Sequence, residues 1–214
     1  MTIERGYFLC FYIQMISYAF PLWFGIRNYK YLDKPLKIFF LSVAISFLID
    51  STSWVLSKLH IQDHYLSYLF TLNAFVTKIL ICNIYIQNQK YRKYFLWTAL
   101  LIIPLFIFDY FWLFGDTKHN ALSGGASQFW IFIATIYCLR QLINETPTNI
   151  RQKPFFWIFV GTIMAKGFTF FDTIAYDYVL NSSVTMVYIL SAFTYLINGV
   201  ENILYAIGLQ RAKK

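Results

Sequence analysis

Lysine and carboxylate side chains can bind ions, hand on protons or neutralise one another, and in this chain several of them interrupt long apolar runs. The stretch GTIMAKGFTFFD, from Gly161 to Asp172, carries Lys166 near its middle and Asp172 at its end. Asp50, Lys78, Asp109 and Glu201 stand in comparable surroundings, and Asn198 lies just before Glu201. A charge held at the centre of a membrane costs about 2.5–3.5 kcal/mol even on the lenient insertion scale. Several together therefore imply pairing, an aqueous cavity, or both.

Spacing places most of these residues on polar stripes. Asp50 falls in the series Ser42, Ser46, Asp50, Ser53, Ser57, and Lys78 in Ser67, Thr71, Ala74, Lys78, Cys82, Tyr85. Lys166 falls in Thr162, Lys166, Thr169, Thr173, Tyr176, with Asp172 at its edge. Asn198 falls in Ser191, Tyr195, Asn198, Asn202, Tyr205, with Glu201 beside it, while Cys10, Gln14 and Ser17 make a shorter stripe. Each follows the 3.6-residue period of one helix face. Serine and threonine on such a face are read first as packing residues that let helices approach and hydrogen-bond. For the ionisable members two readings stay open: ion pairs that hold a bundle together, and a ligand, ion or proton site.

Depth suggests partners. At 1.5 Å per residue, Asp50, Asp109 and Lys166 lie roughly 18–21 Å from the same end of their helices, with Lys78 and Glu201 nearer that end. The expected arrangement is an outer cluster of Lys166 with Asp50 or Asp172, and an inner pair of Lys78 with Glu201. Asp50, Lys78, Asp109, Lys166, Asp172, Asn198 and Glu201 are thus the ligand- or ion-binding candidates. A second group is histidine: His60 and His64 are spaced i, i+4 around Asp63, and His119 lies with Asp116 in another loop on the same predicted side. Such a pair with a third ligand can hold a metal. There is no HExxH, no Ser-His-Asp order and no phosphate loop, so no catalytic residue and no cofactor is assigned.

The elements that must position these residues are membrane helices. The chain is 58% hydrophobic and 13% charged, with a mean hydropathy of +0.52, which is the composition of a membrane protein. Stretches of about 20 apolar residues, the length that crosses the hydrocarbon, fall at 7–26, 36–58, 65–87, 95–114, 126–144, 154–180 and 184–208. Proline opens the second and the sixth, in YLDKPL and ETPTNIRQKP. The matching Lys34-Pro35 and Lys153-Pro154 raise the idea of a 3+1+3 internal repeat. The tryptophans Trp23, Trp54, Trp97, Trp112, Trp130 and Trp157 fall near span ends, as an interfacial belt would. The N-terminus MTIERGYFLCFY lacks a basic n-region, so the first span is read as retained. Cys10, Cys82 and Cys138 sit in apolar runs without CxxC spacing and are read as reduced packing residues. The whole chain, 1–214, reads as one polytopic domain.

Basic residues set the expected orientation. Arg27, Lys30, Lys34, Lys37, Lys90, Arg92, Lys93, Arg140, Arg151, Lys153, Arg211, Lys213 and Lys214 fall on one side, against Arg5, Lys58 and Lys118 on the other. The positive-inside rule then places the N-terminus outside and the C-terminus in the cytoplasm. The formal charge of +8 is spread between apolar runs, so nucleic acid is not expected as a partner. A seven-helix bundle with a buried lysine invites comparison with rhodopsins, but their retinal lysine is in the last helix, where this chain has none before Arg211. The PQ dipeptide of PQ-loop transporters is absent despite the Pro21 turn.

Three segments carry a likeness: KPLKIFFLSVAISFLID at the start of the second span, KPFFWIFVGTI at the start of the sixth, and the ending NILYAIGLQRAKK. In them the chain resembles a group of small seven-helix proteins of Bacteroidetes to which no activity is assigned. The resemblance implies a multi-pass protein of the bacterial inner membrane, encoded near signalling kinases; the group tends to carry a glutamate where Asn73 stands here. The expected function is a sensor or receptor-like module that binds a small ligand or ion in a polar cavity. It would act through a cytoplasmic or membrane signalling partner, with membrane lipids around it and a second copy of the chain as a further partner. A transporter or channel, and a membrane lipid-modifying enzyme, are the alternatives.

Overall fold

A computed structural model of the protein describes residues 3–61, 63–114, 121–145 and 149–213. Its helices are α1 (Ile3–Ser17), α2 (Ala19–Arg27), α3 (Lys34–Lys58), α4 (His64–Tyr85), α5 (Gln89–Phe108), α6 (Ala121–Glu145), α7 (Pro154–Ser182) and α8 (Val184–Arg211). A π-helical turn, Asp109–Phe114, extends α5. With α1 and α2 forming one continuous span, seven stretches among the described residues are long and apolar enough to cross a membrane.

Local chemistry accounts for where several of these helices start and stop, though α5 and α6 begin five or six residues earlier than expected, at Gln89 and Ala121. Asp33 accepts the Leu36 amide at 2.9 Å and Pro35 occupies the first turn of α3, so a side-chain oxygen satisfies an otherwise orphaned donor. Asn88 caps α5 through the Lys90 amide at 3.0 Å, and Pro154 opens α7. The first span is broken at Tyr18, because Pro21 has no N–H to offer the Ser17 carbonyl. In α5, Pro104 removes a further helical bond upstream of the π turn that brings Asp109 inward.

The helices form a closed ring in the order α1/α2, α3, α4, α6, α7, α8, with α5 outside it against α6 and α4. The termini of α2, α4, α6 and α8 and the starts of α3, α5 and α7 share one end, which carries most of the basic residues and is called here the basic end. Close packing is concentrated there. The buried residues of α8 run from Gly199 to Leu209 and those of α3 from Leu36 to Val43. No residue of 3–13 in α1, 44–58 in α3 or 184–198 in α8 is fully buried, whereas α6 is buried along its length. Glycine permits the tight contacts: a Cβ on Gly208 would lie 2.8 Å from the Pro154 carbonyl oxygen, and one on Gly25 would enter the Phe40 ring.

Apolar side chains cover the outer surface, with Trp23 64%, Trp97 67% and Trp112 71% exposed. Trp130 departs from the expected belt. It is only 7% exposed, packs edge-on to Phe75, and donates to Thr98 Oγ1 at 3.0 Å. The physical reason is that α6 begins at Ala121, so Trp130 sits more than two turns inside the helix rather than near its start.

Candidate functional site

Three of the candidate residues, Lys166, Glu201 and Lys78, are joined inside the ring. Lys166 on α7 lies 3.8 Å from Glu201 Oε2 on α8. The other Glu201 oxygen accepts a hydrogen bond from the Tyr205 hydroxyl. Tyr205 contacts Thr162 Oγ1 at 2.9 Å, and Lys78 on α4 donates to that same Thr162 oxygen at 2.6 Å. The Lys78 ammonium also lies 5.2 Å from the Phe39 ring centre and 5.4 Å from that of Tyr205, so aromatic faces share in stabilising its charge.

This pairing differs from the expected one. Lys166 takes Glu201 rather than Asp50 or Asp172, and Lys78 reaches Glu201 through Thr162 and Tyr205 instead of directly. The reason is helix length. Because α8 runs to Arg211 rather than 208, Glu201 sits about 4.5 Å further from the basic end, at the level of Lys166. Close approach of the two helices at Gly161, where a Cβ would lie 3.4 Å from the Glu201 carbonyl, then brings the side chains together.

Asp50, on α3, accepts from the Tyr18 hydroxyl at 2.8 Å and from Gln14 Nε2 at 3.4 Å. Tyr18 sits at the break between α1 and α2, so the Pro21 interruption is what presents this donor. Asp50 forms no ion pair with Lys166 among the described residues, where Lys166 pairs with Glu201. Ser17 completes this side by donating to the Gln14 carbonyl at 2.5 Å and accepting from Asn202 Nδ2 at 2.8 Å. Glu201 is thus served by Lys166 directly and by Lys78 through Thr162 and Tyr205, while Asp50 is held by the neutral donors Tyr18 and Gln14.

Nearly two turns further from the basic end, Asp172 accepts from Thr194 Oγ1 at 2.6 Å. The contacts Lys166–Glu201 and Asp172–Thr194 fix the antiparallel register of α7 and α8, and Thr169 and Asn198 fall between them. Here Thr169 Oγ1, Asp172 Oδ1 and Asn198 Oδ1 are buried and find no hydrogen-bond partner among the described residues, as does Gln14 Oε1 on the neighbouring α1. The candidates Asp50, Lys166, Asp172, Asn198 and Glu201 therefore occupy one region, with Lys78 beneath it.

Asp109 stands apart. It is fully buried, and Oδ2 accepts from the Ser123 amide at 2.8 Å and the Ser123 hydroxyl at 2.6 Å. Its carboxylate thus caps the first turn of α6 from another helix. The histidines do not share a helical face. His60 follows the end of α3 in the left-handed conformation, φ 57°, and His64 begins α4. Asp63 between them takes the Ser53 hydroxyl. Among the described residues no three His, Cys, Asp or Glu side chains could hold a metal; His119 and Asp116 lie outside the described residues. The cysteines are free.

The site residues not singled out from the sequence are Tyr18, Phe39, Thr194 and Ser123. A tyrosine ahead of a proline carries the signal for the first, since the proline frees the backbone one turn earlier; nothing in the sequence marks Ser123. No family model matches this chain, and no curated protein or solved structure matches it.

Proposed function

We propose that the chain is a membrane sensor or receptor-like module, which takes a small ligand or ion onto the Asp50, Lys166 and Glu201 cluster and acts through a partner protein. The observation that carries this reading is the set of buried oxygens of Gln14, Thr169, Asp172 and Asn198 that lack a hydrogen-bond partner beside that cluster. Leaving a buried polar group unsatisfied costs about 1–3 kcal/mol, so a compact cation or a protonated amine would relieve several such costs at once. The looser packing of α1, α3 and α8 away from the basic end supplies the approach. The excess of Lys and Arg at the basic end supports an outside N-terminus and a cytoplasmic C-terminus, and the likeness to Bacteroidetes proteins supports the inner membrane. The basic loops would then meet the partner or anionic lipid.

The test is a melting series on the purified protein in detergent, with sodium, potassium or ethylammonium chloride replacing N-methylglucammonium chloride at equal ionic strength. At least one of these cations raises the Tm with saturation, as ligand linkage requires, by about 2.7 kcal/mol of stability at a hundred times its Kd. The shift disappears in Asp50→Asn. No shift with any cation, or one that survives in Asp50→Asn, removes this reading. Transport is the second reading, favoured by the hydrogen-bonded chain that continues from Glu201 to Lys78 in the close-packed half. Flux of the stabilising cation into proteoliposomes would select it.

A further inference from the structure

We propose that Lys78, Thr162, Tyr205 and Glu201 form a proton relay, through which Lys78 neutralises Glu201 whenever Lys166 is withdrawn. The direction of the hydrogens follows from counting them. Tyr205 has a single hydroxyl hydrogen and gives it to Glu201. Its 2.9 Å contact with Thr162 must therefore be donated by Thr162. Thr162 also has one hydrogen, shared between Tyr205 and the Ile158 carbonyl, which lies at 2.9 Å. The 2.6 Å contact with Lys78 must then be donated by the ammonium. The Lys78 and Tyr205 hydrogens point toward Glu201, and the Thr162 hydrogen serves the Ile158 carbonyl as well as Tyr205.

The step balances without an external reactant. A proton leaves Lys78 Nζ for Thr162 Oγ1, the Thr162 proton passes to the Tyr205 oxygen, and the Tyr205 proton bonds to Glu201 Oε1. A neutral amine and a neutral carboxylic acid result, and both hydroxyls are restored. With Lys166 at 3.8 Å, the carboxylate is favoured and the proton stays on Lys78. Without that charge, a separated buried ion pair is costlier to hold than the same pair neutralised. Loss of the ammonium charge also releases Lys78 from the faces of Phe39 and Tyr205, so an event at Lys166 reaches the close-packed half. The other titratable groups facing the relay are Lys166 on α7, Tyr18 at the α1/α2 break, Cys82 on α4 and Cys138 on α6.

The inference rests on the proposed function only for what withdraws Lys166 in the cell, and its test needs no ligand. Full-length protein in lipid nanodiscs, labelled at lysine Nζ and the glutamate carboxyl carbon, is followed by NMR at one pH. Wild type shows an ammonium at Lys78 and a carboxylate at Glu201. In Lys166→Met both signals move together, to a neutral amine and a protonated acid, in equal populations. In the double variant Lys166→Met/Thr162→Val, which keeps the side-chain shape but removes the middle hydroxyl, the end states are the same but the proton passes between Lys78 and Glu201 more slowly, read as slower exchange between their charged and neutral signals. The relay is overturned if Glu201 protonates in Lys166→Met while Lys78 stays charged, if neither signal moves, or if that exchange is as fast without the Thr162 hydroxyl. Lys166→Gln gives the same readout should the methionine variant not fold. Failure here leaves the cation-binding test standing, and failure of that test leaves the relay standing.

Discussion

One oxygen of Glu201 takes the Tyr205 hydroxyl and the other faces Lys166, so this single carboxylate balances a near lysine and, through two hydroxyls, a more distant one. Removing it strands both cations in a buried setting. Glu201→Gln is expected to cost about 3–5 kcal/mol, the range seen when one member of a buried pair is lost. Lys166→Met in the same chain should return part of that loss, with a coupling of about 0.5–3 kcal/mol. Unfolding in mixed micelles measures both, and a Glu201→Gln variant as stable as wild type would show the charges to be independent. The charged members of this cluster were legible because each interrupts an apolar run. Their pairing was not, because matching depths across antiparallel helices needs helix ends to within a residue or two, and α8 outran its expected end. Tyr18 was hidden for a different reason: tyrosine is ordinary near membrane interfaces, and only the break ahead of Pro21 turns it toward Asp50.

Helix by helix, the 3.6-residue stripes and the capping residues made the spans readable, and the stripes of α3, α4, α7 and α8 do turn Ser42, Lys78, Thr162 and Asn202 into the interior. What periodicity does not report is how one helix end serves another. Asp109, counted among the ligand candidates on depth alone, is committed to the first turn of α6 by a π turn that no pattern of apolar residues announces. Asp109→Ala therefore belongs with capping substitutions, at about 0.5–2 kcal/mol, with a further penalty from the buried Ser123 amide it would orphan. A lower melting temperature with an unchanged saturable response to cation is the expected outcome. Loss of the cation response at unchanged stability would instead return Asp109 to the binding site. Trp130 teaches the same lesson in reverse, since its place near an expected span start depended on where α6 begins.

Across the whole molecule, packing is graded: the basic end is closed by Phe39, Tyr205, Ala206 and Leu209, while the far halves of α1, α3 and α8 bury no residue fully. A bundle uniformly packed along its axis would seal the buried charges from both sides; this gradient leaves them nearer one side than the other. Orientation and gradient can be checked together in a chain whose Cys10, Cys82 and Cys138 are replaced by alanine, with single cysteines introduced elsewhere. Lys58→Cys, beyond the looser end, should react with a membrane-impermeant maleimide on intact cells, and Lys90→Cys, at the basic end, only after lysis. Within α8, a small charged thiosulfonate should modify Ser191→Cys, which is half-buried in the looser half, and spare Ala206→Cys, which is buried in the tight half. Reversed labelling of the two loop positions would invert the orientation drawn from the basic residues. Equal protection of Ser191→Cys and Ala206→Cys would mean that lipid or another chain closes the looser half, and the approach to Asp50 and Lys166 from that side would have to be abandoned.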